Sequence, residues 1–254
     1  VFTIGNNVPG YFGSFRFTKG QALTTGNFNP PTAPTSTSAV GWTGANVAAS
    51  ITGTVNFLLN FTDAAILDST GRHAIETVGD ARTSALITKF TGGSLFFDGS
   101  GDYLTFPVSR QFEVVADVTI EFWVYLISLG TGGSNPAFFG WGNFTSKTFA
   151  YIYNDGRIAI GIQGTNEIVS AAGQATTYSW IHLAFVRNGS TTTIYKNGTS
   201  IASNTTAVWY GSTGTEALQI MGSITNCYIS DFRFTKFARY TGNFTAPTLP
   251  YRLK

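Results

Sequence analysis

The chain has 254 residues, 43% of them hydrophobic, 15% aromatic and only 11% charged, with a net charge of +2. So apolar a composition excludes a disordered chain, and the length suits one large β domain that buries roughly 70–75% of its unfolded surface without staples. The lysines and arginines form no cluster, which argues against nucleic acid as a partner; no run of 18 apolar residues exists to insert in a membrane as a helix, and the single Cys227 closes no disulfide within the chain.

The sequence opens on Val1-Phe2-Thr3-Ile4, a strand-like pattern without an initiating Met, as expected of a processed chain or a piece of a longer one. An internal repeat follows. Tyr11-Phe12-Gly13-Ser14-Phe15-Arg16-Phe17-Thr18-Lys19 recurs as Tyr228-Ile229-Ser230-Asp231-Phe232-Arg233-Phe234-Thr235-Lys236. Thr25-Gly26-Asn27-Phe28 recurs as Thr241-Gly242-Asn243-Phe244, and Pro31-Thr32-Ala33-Pro34 as Pro247-Thr248-Leu249-Pro250. Residues 1–34 are therefore expected to be the terminal strand and exit segment of a preceding repeat, or else an arm that adds a strand to a neighbouring sheet. Residues 35–53, rich in Ser, Thr, Ala and Gly, read as a linker. Residues 54–254 read as the main domain.

Within that domain the pattern is β throughout. Val55 to Phe61 reads as a strand, Asp68-Ser69-Thr70-Gly71 as a turn, and Ser94 to Phe97 with Tyr103 to Phe106 as two strands about the turn Asp98-Gly99-Ser100-Gly101-Asp102. Val118 to Leu126 alternates: Val118, Ile120, Phe122, Val124 and Leu126 share one face, and Thr119, Glu121, Trp123 and Tyr125 the other. That period predicts a central strand with one face in the core. Asn154-Asp155-Gly156 joins two further strands as a hairpin. Asn188-Gly189 and Asn197-Gly198 turn a three-stranded meander from Trp180 to Ala202. Short strands at this spacing predict an all-β, two-sheet antiparallel sandwich.

Four motifs carry a family resemblance. Leu95-Phe96-Phe97-Asp98-Gly99-Ser100-Gly101-Asp102-Tyr103-Leu104, Thr119-Ile120-Glu121-Phe122-Trp123-Val124, and Trp180-Ile181-His182-Leu183-Ala184-Phe185-Val186-Arg187 with Ile194-Tyr195-Lys196-Asn197-Gly198 resemble the matching strands of laminin G-like and pentraxin-like domains. The ending, Ile229 to Lys236 with Tyr240 to Phe244, looks most like the version in bacteriophage tail fibres and other virion structural proteins. The resemblance covers about residues 54–250 and implies a concanavalin A-like jelly roll. Relatives of this kind often bind Ca²⁺ through loop carboxylates; Asp98 and Asp102 fit either that role or the capping of free backbone N–H groups in their turn. With no dense acidic loop, no cofactor is assigned.

The fold also hosts glycoside hydrolases, which need two carboxylates about 5–9.5 Å apart. No E-x-D-x-x-E strand occurs, Glu121 is the only acid in its strand, and no G-x-S-x-G elbow is present. His182 reads as a structural histidine, and His73 lies in a polar turn region. The chain is therefore read as a binding protein and not as an enzyme. Sugar binding uses exposed aromatic faces with amides beside them. Trp141 and Asn143, Tyr151 and Tyr153, and Trp209 and Tyr210 are the candidates for glycan or partner contact. On that reading, Trp141→Ala and Trp209→Ala leave folding intact and weaken binding. Two functions are compatible with these features: a virion or cell-surface module of a larger appendage that binds a surface glycan or receptor, and a purely structural virion subunit contacting copies of itself or its neighbours. Either places the protein on a virion or outside the cell.

Overall fold

The computed structural model describes residues 15–19, 54–59, 66, 73–90, 93–130, 135–142, 148–162, 166–205, 209, 216–222 and 225–251. The linker 35–53, the turn at 68–71, Asn143, Tyr210, and the repeat segment apart from 15–19 lie outside the described residues.

The chain divides into two units at Ala65/Ile66. The first holds β1 (Phe15–Lys19) and β2 (Thr54–Leu59), paired antiparallel with Phe17 opposite Phe57 and an irregularity between Phe17 and Thr18. A two-stranded ribbon of this size is marginal on its own.

The second unit is the sandwich. Its strands are β3 (Glu76–Val78), β4 (Arg82–Ser84), β5 (Ser94–Asp98), β6 (Tyr103–Thr105), β7 (Val118–Leu126), β8 (Ala137–Trp141), β9 (Phe149–Ile152), β10 (Ile158–Ile162), β11 (Asn166–Val169), β12 (Trp180–Asn188), β13 (Thr191–Lys196), β14 (Thr199–Asn204), β15 (Leu218–Ile220) and β16 (Asn226–Thr235). One sheet runs β11-β10-β9-β8-β15-β6-β3 and the other β14-β13-β12-β7-β16-β5-β4, all pairs antiparallel. This is the jelly-roll sandwich that the sequence predicts. The only helical element among the described residues is a single 3-10 turn, Arg110–Phe112, capped by Ser109.

The two sheets meet on aromatic side chains. Phe122 of β7 stacks on Phe232 of β16 at 5.6 Å and lies 5.4 Å from Phe138 across the interface. Phe139 meets Phe185 edge-on at 5.2 Å. Phe138 and Phe139 are neighbours in sequence, yet both enter the main core. A register irregularity in β8 between Ala137 and Phe139 allows this, because a bulge cancels the strict alternation of faces.

β7 departs from expectation in one respect. Its alternation predicts one buried face, but Thr119, Glu121 and Trp123 on the opposite face are buried as well. The cover is the segment after β16, residues 236–251, which runs back over the outer face of the second sheet as a strap. The Thr119 hydroxyl donates to the Phe237 carbonyl at 2.9 Å and accepts from the Arg239 N–H at 2.9 Å. Phe244 N–H donates to the Gly198 carbonyl at 2.9 Å, and Ser200 N–H to Asn243 Oδ1 at 2.9 Å. Ala238, Tyr240 and Phe244 pack on Ala184, Val186 and Tyr195 as a small outer core.

Candidate functional site

The structure separates the residues proposed for sugar contact. Trp141 ends β8 facing inward, is 0% exposed, and meets Phe139 edge-on at 6.1 Å. Trp209 is 5% exposed, lies 6.5 Å from Trp141, and donates its indole N–H to Thr192 Oγ1 at 2.8 Å. Neither ring has a face for a sugar, and the expectation of exposed tryptophan platforms is corrected. The glycines around Trp141 suggest a loop, but Ala137–Trp141 is an interior strand buried at every position.

Tyr151 and Tyr153 do come together, on the outer face of the first sheet. Tyr151 is nevertheless fully buried, stacked on Phe149 at 4.5 Å, and unavailable as a platform. Tyr153 is half-buried. Its hydroxyl donates to the Glu167 carboxylate, 3.0 Å from each oxygen, and the Arg157 guanidinium lies 4.1 Å over its ring.

The acidic turn is likewise accounted for. Asp80, Asp98 and Asp102 bring carboxylate oxygens within 4.8 Å of one another. Asp102 Oδ1 accepts from Asp80 N–H at 2.7 Å and Oδ2 from Asp98 N–H at 3.0 Å, while Asp98 Oδ1 accepts from Ser100 N–H at 2.7 Å. Both oxygens of the buried member already face backbone donors, whose positive ends would oppose a cation. The set fits a turn held by hydrogen bonds and not a calcium cage.

Under the strap lies a charged hub. Glu121 is 0% exposed. Arg233 of β16, directly opposite it in register, donates to Oε1 from Nε at 2.9 Å and from Nη2 at 2.7 Å. Tyr240 donates its hydroxyl to Oε2 at 2.8 Å, and Arg239 Nε approaches Oε1 to 3.4 Å. His182 Nε2 sits 2.8 Å from the Tyr251 hydroxyl and 3.3 Å from Glu121 Oε2. Arg233 also lies 4.0 Å over the Tyr251 ring. Burial alone would push the Glu121 carboxyl up. The bond from His182, the Arg233 charge and the Tyr240 hydroxyl outweigh it and hold the group below the usual carboxylate range. Burial and the same carboxylate push Tyr240 up to about 12 and raise Tyr251 as well, so both remain phenols. With both oxygens engaged and no solvent contact, Glu121 is placed to anchor the strap and not to exchange protons with a ligand.

Beside the hub the strap leaves a groove of about 550 Å³, lined by Lys89, Phe90, Trp123, Asn197 and the strap residues Phe244–Thr248. Trp123 forms part of its floor at 6% exposure and meets Phe90 edge-on at 6.3 Å and His182 at 5.2 Å. Its indole N–H is buried and has no partner among the described residues. Lys89 Nζ lies 3.7 Å over the Trp123 ring, and burial lowers its pKa. Asn197, which lines the groove, is exposed and accepts His182 N–H on Oδ1 at 2.8 Å. The groove thus offers an aromatic edge, an ammonium, an amide, and the hydroxyls of Thr245 and Thr248. Nothing in the sequence reading nominated it. The available signal was Trp123 and Asn197 in strongly predicted elements, with Phe244 in the Tyr-Thr-Gly-Asn-Phe stretch of the repeat.

A family model described as the concanavalin A-like lectin/glucanases superfamily matches residues 98–240. No curated protein matches the chain by sequence. Solved structures do match in fold. The receptor binding domain of botulinum neurotoxin C/D mosaic serotype superposes with a TM-score of 0.52 at 14% identity, covering 69% of this chain and 46% of that one. The botulinum neurotoxin serotype D binding domain gives 0.53 at 13%, covering 68% and 46%. The binding domain of botulinum neurotoxin DC in complex with SialylT gives 0.50 at 14%, covering 65% and 43%. The chain spans less than half the length of these proteins, and identities so low establish the likeness of fold alone.

Proposed function

Because this chain belongs to the concanavalin A-like lectin/glucanases superfamily, we propose that it works as a non-catalytic recognition module that binds a surface glycan in the groove between Trp123 and the strap. The observation that carries this reading is the groove itself, where an aromatic floor, an ammonium and an exposed amide adjoin one another. Apolar sugar faces pack on aromatic rings while their hydroxyls need such donors and acceptors. Two findings support it: the Glu121 carboxylate under the strap is engaged as a structural anchor, and structures of like fold include receptor-binding domains, one of them in complex with SialylT.

The low charge, the Gly- and Thr-rich surface and the repeated strand motif at residues 11–19 favour a place in a larger virion or cell-surface appendage, with residues 1–34 ending a preceding like repeat. The test is binding of the purified chain to a glycan panel that includes bacterial surface polysaccharides. Saturable binding is expected, abolished by Thr248→Trp, which fills the groove from an exposed position without touching the core. Binding unchanged in that variant would move the site elsewhere. A folded chain that binds no glycan would leave the structural role in an assembly.

A further inference from the structure

The groove is lopsided in charge. Among the described residues its lining holds one cation, Lys89, and no Asp or Glu. Among the described residues Lys89 forms no ion pair: its ammonium lies over the Trp123 ring at 3.7 Å, with Phe90 beyond at 5.9 Å. Below it the indole N–H of Trp123 is buried and reaches no acceptor among the described residues. The Asn197 amide adds a second donor at the rim. Ammonium and amide NH₂ are both donors, and the ammonium accepts nothing. A neutral sugar hydroxyl satisfies one such donor at a time and leaves the ammonium without a counter-charge. A carboxylate supplies up to four lone-pair sites and the missing negative charge in one group.

We propose that the ligand of this groove is an acidic glycan, whose sugar carboxylate accepts from Lys89 Nζ and the Asn197 amide while the ring it belongs to rests against Phe244 and Pro247. This rests on the glycan reading above and adds the chemical class. Lys89 is poised for it, since burial already disfavours its charged form and a carboxylate restores that charge.

The experiment uses the whole chain and matched probes: uronic-acid oligosaccharides and the same oligosaccharides after carboxyl reduction, alongside the neutral glycans of the panel. The acidic probe is expected to bind at least tenfold more tightly than its reduced counterpart. Lys89→Gln removes that difference and Lys89→Arg keeps most of it, with thermal midpoints unchanged in both. The Trp123 indole N–H resonance, assigned by its loss in Trp123→Phe, shifts on adding the acidic probe. Equal binding of acidic and reduced probes, or a preference that survives Lys89→Gln, overturns the inference and leaves the glycan reading standing. Binding of neutral glycans alone does the same. A folded chain that binds neither acidic nor neutral glycans overturns both.

Discussion

Replacing Glu121 by glutamine keeps the shape of the hub and removes its charge. Arg233 then faces a neutral amide, with one side-chain oxygen left to accept where Oε1 and Oε2 now take two bonds from Arg233 and one from Tyr240. Deleting one partner of a buried pair costs about 3–5 kcal/mol. The lower end applies here, because Arg233 keeps 21% side-chain exposure and regains some hydration. At 2–4 °C per kcal/mol for a domain of this size, a loss of about 3 kcal/mol lowers the melting temperature by roughly 6–12 °C. Thermal and urea unfolding at neutral pH measure it, and hydrogen exchange shows where it falls. Amides of residues 237–251 lose protection first, since Tyr240 is tied to the hub directly and Tyr251 through His182. The pH dependence has a definite sign. Glu121 is held below its unfolded value, so its contribution is complete above the unfolded carboxylate range and disappears as the pH falls through the lower folded value. The gap between wild type and Glu121→Gln therefore narrows below about pH 4. A shift under 2 °C at neutral pH, or a gap that widens on acidification, would refute the anchoring role.

Trp141→Ala is expected to behave as a core truncation, costing about 3–5 kcal/mol with a large drop in melting temperature and no selective loss of binding in the fraction that remains folded. Gly198→Ala is expected to lift the strap. Gly198 has φ +83, and a Cβ there would meet the Phe244 carbonyl. Strain of roughly 1–3 kcal/mol should show as lost exchange protection over residues 237–251 and weakened groove binding, with the sheets retained by circular dichroism.

Much of the fold was legible because the strongest local signals agree with it. Val118 to Leu126 alternates and forms β7; the Asn-Gly pairs at 188–189 and 197–198 turn β12, β13 and β14. β8 was not legible, because Phe139-Gly140-Trp141-Gly142 carries loop-like glycines and a strand buried on both faces shows no alternation. β3, β4 and β15, at three residues each, are too short to carry a period. The site was less legible still. Glu121 and Trp123 were read onto the outer face, but their burial depends on a strap of turn-like sequence with no strand period. Exposure cannot be inferred for an aromatic residue whose cover arrives from a distant, irregular segment, which is also why Trp209 read as a loop platform.

Among the described residues β16 is the last strand in chain order, yet it lies between β7 and β5 in the interior of the second sheet. During synthesis, both neighbours emerge long before it and wait with open edges, the kind of surface that recruits other chains. At the usual 5–20 residues per second, that wait lasts several seconds, and so non-local a closure belongs among the slow β topologies. Yield in the cell should therefore respond to translation speed and chaperone supply more than the stability of the finished sandwich would suggest. A nascent chain stopped before Asn226 lacks an interior strand of a sheet, not its margin.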